Sequence, residues 1–329
     1  MAKPIDPNSL ALLADIGGTN ARFAVRLGEK LGPIANLTVS DHPGFDAALG
    51  AFLARQTLGR AIQTAVIAVA GPVRMGRAEF TNSGWKVETE GLKSTFGFER
   101  VRVMNDFEAV ARALPCLQPT DVVQLGGKES LPDAPLLVLG PGTGLGVACL
   151  LPSSNGPVVF TSEAGHMTAP SWSRRIDAII DFLRGRYGGV SAERLLSGHG
   201  LENLHDAVAA VDGLNVPKRS AAEITHTAIE RTCPVSQAVV DLFFAMLGEV
   251  AGNLALAFGA RGGVYVAGGI APRLAKQMPD SQFRARFEDK GRLRPYLEAI
   301  PCWLIMHPNP AFLGLESVAT KLQSQDTRA

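Results

Sequence analysis

The first third of the chain alternates short apolar runs with segments of helical periodicity. Strands are predicted at LALLADI, ARFAVRL, TAVIAVAG and RVRVMND, and helices at FDAALGAFLARQ and FEAVARAL. TAVIAVAG, residues 64–71, is almost continuously apolar, which is typical of a strand that is buried on both faces of a sheet. Because strands alternate with helices, the pattern favours an α/β architecture over a helix bundle or a β-sandwich.

A second α/β unit begins near APLLVLGPGTGLGVACLL, residues 134–151, and repeats a pattern of the first unit. Setting Gly18-Thr19 on Gly142-Thr143 aligns LLADIGGTNARFAV with PLLVLGPGTGLGVA. Both stretches predict a strand, a Gly-Thr turn and a second strand. A repeat of this length predicts duplicated half-molecules that face each other across a cleft.

The remainder of the chain is predicted to be mostly helical before it returns to strands. Residues 171–258 are predominantly helical in pattern; GGVYVAGGIAPR and PCWLIMHPNP predict strands, and LGLESVATKLQ a terminal helix. The most apolar long stretch, 238–260, contains Asp241, Glu249 and Asn253, which would be costly in lipid. The sequence therefore predicts a helix buried in a large core, not a membrane span.

Composition and charge narrow the functional classes. The 329 residues are 46% hydrophobic and 19% charged, which suits a globular protein of two domains. The formal net charge of +1 makes nucleic acid an unpromising main partner. The four cysteines show no C-x-x-C spacing, which argues against a zinc knuckle or a disulfide framework. The first residues lack a signal-peptide pattern, so we expect a cytoplasmic protein without membrane attachment.

The turn in LLADIGGTNARFAV carries the first candidate chemistry. One interpretation is an ordinary β-hairpin with a glycine turn; the other is a turn whose backbone N–H groups bind phosphate, beside a metal-orienting carboxylate. The usual nucleotide signatures are missing: the chain has no G-x-x-x-x-G-K-[ST], G-x-G-x-x-G, H-R-D or D-F-G motif. A phosphate turn of another kind remains possible, with glycines that let phosphate oxygens approach the backbone.

Several dispersed motifs resemble a known family. ADIGGTNARF, GPGTGLG and GGVYVAGGIAPR resemble the two phosphate segments and the adenosine segment of the two-domain actin-like ATPase and sugar-kinase fold, which is ribonuclease H-like. VMNDFEAVARALP, SEAGHM and SAERLLSGHGLENL resemble the bacterial glucokinases, and the match extends from Ala11 to about Gly314. The cysteine zinc motif and the N-terminal DNA-binding helix pair of repressor-type sugar kinases are missing, which favours the glucokinase branch.

The resemblance implies nucleotide contacts at three turns. The residues expected to line the ATP phosphates and adenosine are Gly17, Gly18, Thr19, Asn20, Gly142, Thr143, Gly144, Gly268 and Gly269. Asp15 is expected to orient the Mg²⁺ of Mg-ATP through water, because magnesium releases its hydration shell reluctantly. Taken alone, Asp15 could equally accept hydrogen bonds from its own turn, and the other positions could be plain turns.

The resemblance also implies a catalytic base. Asp106 follows the predicted strand VRVMN, where α/β folds place catalytic loops. From the residues alone, Asp106 could be a base or the N-cap of the helix FEAVARAL. The resemblance favours the base, which would take the proton of the sugar 6-hydroxyl. Asn105 can donate and accept hydrogen bonds to a sugar hydroxyl, or can serve as a turn residue.

Sugar binding is the role that the resemblance gives to a set of carboxylate, imidazole and amide side chains. The set is Asn82, Asn105, Asp106, Glu163, His166 and Glu193. Alternatively, Glu163 could be a solvated loop charge, His166 a core histidine and Glu193 a charge at a helix start. The sequence departs from the usual family motifs at Ala164 and His199, which leaves the substrate range open.

Together these observations predict an ATP-dependent glucose 6-kinase that works as a homodimer in the cytoplasm. Its small domain is expected at 1–115 plus 308–329 and its large domain at 116–307, with glucose in the cleft between them. A kinase for mannose, fructose or an N-acetylated amino sugar is the nearest alternative. A non-catalytic sugar sensor on the same fold is an alternative from another class.

Overall fold

The computed structural model describes residues 6–80, 84–154 and 156–324. In chain order the strands are β1 Leu10–Ile16, β2 Asn20–Leu27, β3 Lys30–Leu31, β4 Ala35–Thr38, β5 Thr64–Val69, β6 Arg77–Glu79, β7 Lys86–Glu88, β8 Arg100–Asn105, β9 Val122–Gly126, β10 Leu136–Pro141, β11 Leu145–Leu151, β12 Val158–Ser162, β13 Gly263–Val266 and β14 Cys302–Ile305. The α-helices are α1 Phe45–Leu53, α2 Thr89–Phe96, α3 Asp106–Ala113, α4 Arg174–Tyr187, α5 Gly198–Val211, α6 Ala221–Ile229, α7 Pro234–Phe258, α8 Phe283–Glu288, α9 Arg294–Ala299 and α10 Pro310–Ser324.

The chain divides into two compact units. Unit 1 comprises residues 1–117 and 308–329, and unit 2 comprises residues 118–307. The sequence placed the first boundary two residues earlier, between 115 and 116, and the second at the same position. Unit 1 contains β1–β8, α1–α3 and α10, and unit 2 contains the other elements.

Unit 1 is built on a sheet with the strand order β3-β2-β1-β5-β8, and β4 pairs with β2. β1 and β2 are antiparallel across the first Gly-Thr turn, whereas β1, β5 and β8 are parallel. All six residues of β5 are buried, which confirms the prediction of a strand covered on both faces. The carboxyl ends of β1, β5 and β8 meet at one edge, and this edge positions Asp15 and Asp106.

The terminal helix α10 completes the core of unit 1 by packing on α3, β1 and β5. Gly314 permits the close approach, because a Cβ at this position would lie 1.9 Å from the carbonyl oxygen of Ala109. Arg26 of β2 is buried and donates hydrogen bonds to the Glu316 carbonyl at 3.1 Å, to Thr320 Oγ1 at 2.7 Å and to Gln323 Oε1 at 2.5 Å. Helix α10 is therefore held against the strands of unit 1.

Unit 2 repeats the strand pattern of unit 1. Its sheet has the order β12-β11-β10-β13-β14-β9. β10 and β11 are antiparallel across the second Gly-Thr turn, and β10, β13 and β14 are parallel. In each unit, the first strand of an antiparallel hairpin also pairs in parallel with a third strand, and that strand pairs in parallel with a fourth. The two units therefore share one strand pattern, which confirms the internal repeat found in the sequence.

The long helix α7 lies in the core of unit 2. It is long and apolar enough to cross a membrane by length and composition, but 72% of its most apolar window is buried inside the protein. Glu249 is paired with Lys290, which offsets the burial of both charges. Gly248 and Gly252 let α8 pack closely, since a Cβ at either would lie within 2.5 Å of a backbone carbonyl. The predicted core helix is therefore confirmed.

Candidate functional site

The first Gly-Thr turn, residues 17–20, closes the hairpin of β1 and β2. The Gly17 N–H donates to the Asn20 carbonyl at 2.9 Å, and the Val39 N–H donates to the Thr19 carbonyl at 2.9 Å. Gly18, Thr19 and Asn20 are exposed, whereas Gly17 is half-buried. The turn is therefore anchored at both ends and presents its middle to solvent, as a phosphate-binding turn requires.

Asp15 lies at the carboxyl end of β1, directly before this turn. Its side chain is 16% exposed, and one oxygen lies 3.2 Å from Arg22 Nη1 on β2. Burial raises the pKa of the Asp15 carboxyl, and the nearby guanidinium of Arg22 partly opposes that rise. Sequence reasoning left Arg22 unassigned, although Asp15 and Arg22 face each other in the β1–β2 register. Their cross-strand charge pairing is the signal that could have found it.

Whether Asp15 is suited to a magnesium ion depends on which other metal-ligating side chains lie near it. In the described ranges, no three side chains of His, Cys, Asp and Glu gather into a group that could hold a metal by themselves. A single carboxylate beside a phosphate-binding turn suits Mg²⁺, which keeps several waters and takes its other ligands from substrate phosphates. The residues present thus fit a metal that arrives with the nucleotide.

Asn105, and not Asp106, takes the N-cap role that the sequence left open for Asp106. Asn105 is the N-cap of α3: its Oδ1 accepts from the Phe107 N–H at 2.9 Å and from the Glu108 N–H at 3.3 Å. Asn105 Nδ2 donates to the Gly71 carbonyl at 3.0 Å. Asp106 is the first residue of the helix, and its Oδ1 accepts from the Phe107 N–H at 2.9 Å. The cap is therefore formed by Asn105, and α3 does not depend on Asp106 for it.

Asp15 and Asp106 both lie at the carboxyl edge of the parallel strands of unit 1. Asp15 is paired with Ala68 of β5, and Asn105, the neighbour of Asp106, is paired with Val69. β1 and β8 are two strand spacings apart, which separates their backbones by about 10 Å.

The second Gly-Thr turn, residues 142–144, is built in the same way in unit 2. The Gly142 N–H donates to the Gly144 carbonyl at 2.8 Å, and the Gly198 N–H at the start of α5 donates to the Gly142 carbonyl at 2.9 Å. Thr143 lies exposed at the tip. The turn again directs its middle residue to solvent while both flanks are hydrogen-bonded.

The predicted adenosine turn lies against this second turn. Gly268 has φ of +89°, and a Cβ there would lie 2.3 Å from the Pro141 carbonyl oxygen at the end of β10. Only glycine fits that conformation and that approach without displacement. Gly269 has open space around its Cα. Gly268 and Gly269 are both exposed, and their contact with adenosine stays a prediction.

Three of the predicted sugar ligands lie close together in unit 2. Two short 3₁₀ turns, Ala164–His166 and Ala192–Arg194, are joined by a hydrogen bond from the Ala192 N–H to the Met167 carbonyl at 2.8 Å. His166 Nδ1 lies 3.9 Å from Glu193 Oε1, and both side chains are partly exposed. Glu163 is exposed at the start of the first turn. A carboxylate and an imidazole at this separation can both contact one hydroxyl group.

Asn82 lies outside the described residues. Its neighbour Trp85 is described and is 3% exposed; its indole N–H donates to the His42 carbonyl at 3.3 Å, and its ring packs edge-on against Phe45. Trp85 is therefore a packing residue of the unit 1 core. His199, one of the departures from the family motif, lies exposed in the first turn of α5 with Nδ1 3.2 Å from Glu202.

Comparison with known proteins adds an independent line of evidence. The family model described as Glucokinase matches residues 12–322. A glucokinase from Paramagnetospirillum magneticum is 45% identical over 95% of this chain and 98% of its own length. A glucokinase from Ralstonia nicotianae is 42% identical over 92% and 93% of the two chains. A crystal structure of glucokinase from an Antarctic psychrotroph is 32% identical, with a TM-score of 0.85 over 95% of this chain and 99% of that chain.

These similarities cover both units and every turn described above. The fold is that of the actin-like ATPase and sugar-kinase class, as the motifs predicted. Together, the two repeated sheets, the paired Gly-Thr turns and the extent of these matches show that the chain belongs to the glucokinase family.

Proposed function

We propose that this enzyme transfers the γ-phosphoryl group of ATP to the 6-hydroxyl of D-glucose, giving glucose 6-phosphate and ADP, with Asp106 as the general base. The observation that carries the assignment is the family membership over residues 12–322. The base assignment is supported by the position of Asp106, which follows the carboxyl end of β8 while Asn105 forms the helix cap.

The proposed chemistry at Asp106 is proton removal from the attacking hydroxyl. The carboxylate accepts the proton of the glucose 6-hydroxyl as the oxygen bonds to the γ-phosphorus and the bond to the ADP oxygen breaks. The hydrogen bond from the Phe107 N–H fixes the orientation of that carboxylate.

The phosphates are proposed to bind at the two Gly-Thr turns. Turn 17–20 would contact the β- and γ-phosphates and turn 142–144 would contact them from unit 2, with adenosine against Gly268 and Gly269. Asp15 would orient the hydrated Mg²⁺ that accompanies ATP, and this ion neutralises charge on the β- and γ-phosphates. The exposure of Gly18, Thr19, Asn20 and Thr143 supports this arrangement.

Glucose is proposed to bind at Asn105, Glu163, His166 and Glu193, with Asn82 as a further contact. Carboxylates accept hydrogen bonds from hydroxyls, and an imidazole can donate or accept. A site of this kind rejects analogues that lack a hydroxyl, because its own polar atoms would be left unpaired.

We further propose that the protein is a cytoplasmic homodimer assembled mainly through unit 2. Sedimentation at micromolar concentration tests the assembly, and a single monomeric species would contradict it.

The first experiment measures ADP release from Mg-ATP with and without glucose, for the wild type and for Asp106→Asn. The wild type is expected to release ADP only with glucose, and the variant to lose about 100- to 10,000-fold in kcat while still binding glucose. Asp46→Asn is the matched control, because Asp46 lies exposed in the first turn of α1 and loses the same charge. Equal rates for wild type and Asp106→Asn would refute the base, and absence of glucose dependence would direct the assay to other hexoses.

A further inference from the structure

Both backbone polar groups of Leu145 are in contact with the predicted sugar segments. Leu145 is the first residue of β11 and directly follows the second phosphate turn, 142–144. Its N–H donates to Glu193 Oε2 at 2.9 Å. Its carbonyl oxygen lies so close to Gly165 that a Cβ at Gly165 would approach it to 2.2 Å. The end of the phosphate turn is therefore packed against the segments that carry His166 and Glu193.

The carboxylate of Glu193 connects two parts of the site. Oε2 accepts the hydrogen bond from Leu145, and Oε1 lies 3.9 Å from Nδ1 of His166. Glu193 is 31% exposed at its side chain, so the carboxylate is also open to solvent. Gly144, inside the phosphate turn, leaves the space for it, since a Cβ there would lie 2.4 Å from Oε2.

The chain that follows Glu193 contacts the other end of the same turn. Ser197 caps α5 by accepting from the Gly200 N–H at 3.0 Å, and the Gly198 N–H donates to the Gly142 carbonyl at 2.9 Å. Residues 193–198 therefore hydrogen-bond to the phosphate turn at both of its flanks, Gly142 and Leu145. If Glu193 served only to bind a sugar, its segment would need neither of these hydrogen bonds to the turn.

We propose that Glu193 is a positioning residue for the second phosphate turn, through which sugar binding strengthens nucleotide binding. The inference rests on the proposed function, because it assumes that the sugar binds at His166 and Glu193. A sugar hydroxyl on Oε1 fixes the carboxylate in the orientation that holds the Leu145 N–H, and this hydrogen bond fixes the turn. By linkage, the nucleotide then strengthens sugar binding by the same factor.

The test measures the dissociation constant of ADP with Mg²⁺ by calorimetry, with and without saturating glucose, so that no turnover occurs. Glu193→Ala is expected to weaken ADP binding about tenfold even without glucose, the size of one hydrogen bond to a charged group. It is also expected to bring the effect of glucose on ADP binding close to onefold. Glu193→Gln keeps an acceptor oxygen for the Leu145 N–H, so its ADP affinity without sugar should stay near that of the wild type.

Glu163→Ala is the matched control for losing a carboxylate from the sugar set. It is expected to weaken glucose binding and to leave ADP binding without glucose unchanged. Gly144→Ala displaces the Glu193 carboxylate and is expected to weaken glucose binding, although Gly144 itself is assigned no sugar contact. The thermal melting of each variant is recorded to check that it folds. If Glu193→Ala does not fold, the proposal is tested with Glu193→Gln and Gly144→Ala instead.

The inference is overturned if Glu193→Ala binds ADP as tightly as the wild type without glucose, or if Gly144→Ala binds glucose normally. These outcomes are distinguishable from failure of the proposed function. If the proposed function is wrong, the wild type will show no glucose-dependent ADP release. The positioning role of Glu193 is tested separately, by the dissociation constant of ADP measured without any sugar.

Discussion

Replacing Arg26 by Met tests how unit 1 holds its terminal helix. Arg26 is 2% exposed and donates three hydrogen bonds to α10, at 3.1, 2.7 and 2.5 Å. At about 1.5 kcal/mol each, their loss removes about 4.5 kcal/mol. About 1.5 kcal/mol is recovered, because Arg26 Nε is buried with no hydrogen-bond partner among the described residues and Met would remove that buried polar atom. We therefore expect α10 to lose about 3 kcal/mol of protection against local opening.

The assay is hydrogen–deuterium exchange of the backbone amides of α10, followed by mass spectrometry. A loss of 3 kcal/mol corresponds to exchange that is about a hundredfold faster. Arg77→Met is the matched control, since Arg77 forms an exposed ion pair with Glu88 at 3.7 Å and is expected to leave α10 unchanged. Protection of α10 within a few-fold of the wild type in Arg26→Met would refute the assignment of this guanidinium as the main attachment.

The same substitution has a pH dependence with a defined sign. Burial raises the pKa of Glu316 and the Arg26 guanidinium opposes that rise, so removal of Arg26 raises the pKa further. A carboxyl with a raised pKa contributes its stability below the unfolded pKa and loses it as pH rises through the folded pKa. The deficit of Arg26→Met should therefore be larger at pH 7 than at pH 4, and an equal deficit at both would contradict the role of Glu316.

Three further predictions concern the site and the thiols. Gly268→Ala should raise the KM for ATP at least about tenfold, because a side chain at φ of +89° costs about 1–3 kcal/mol and meets a β10 carbonyl. The control Gly269→Ala should change the KM for ATP little, and initial-rate kinetics measure both. Asp15→Asn should lower kcat/KM for Mg-ATP about 100-fold while calorimetry shows unchanged glucose binding. Burial raises the pKa of Cys302 to about 12; burial also raises the pKa of Cys233, but hydrogen bonds from the first turn of α7 outweigh it and give a net lowering. An aromatic disulfide reagent at pH 8 should therefore label Cys233 before Cys302, and mass mapping that finds the reverse order would contradict this.

The strands that are buried on both faces are among those that the sequence predicted. β1, β5, β10 and β14 have continuous apolar runs, since both sides of each strand meet protein. β12 was not predicted: three of its five residues are exposed, and it lies at the edge of the unit 2 sheet. Its sequence therefore carries neither a buried run nor a clean alternation, and its pairing with β11 is decided by tertiary structure.

Some features of the candidate site could likewise be predicted from the local sequence, whereas others depend on contacts between residues that are far apart in the chain. The Gly-Thr turns and Asp15 could be predicted because strand, turn and strand are contiguous in the chain. The roles of Asn105 and Asp106 could not be separated, because either residue can cap a helix and the choice depends on φ, ψ and the contact of Asn105 with Gly71. That contact joins residues 34 positions apart, which no local pattern encodes.

Glu193 shows most clearly what a single sequence leaves out. As an acidic residue at the start of a helical turn it had an ordinary local explanation, and the family motif added a sugar contact. Its hydrogen bond to Leu145 spans 48 positions and depends on the glycine at 144, whose missing side chain provides the space. Since the same carboxylate faces His166, its contacts in the fold join the second Gly-Thr turn to the predicted sugar site. A substitution at Glu193 should therefore be interpreted by measuring the binding of both the sugar and the nucleotide, because a measurement with one ligand alone would report only one of the two proposed roles of this residue.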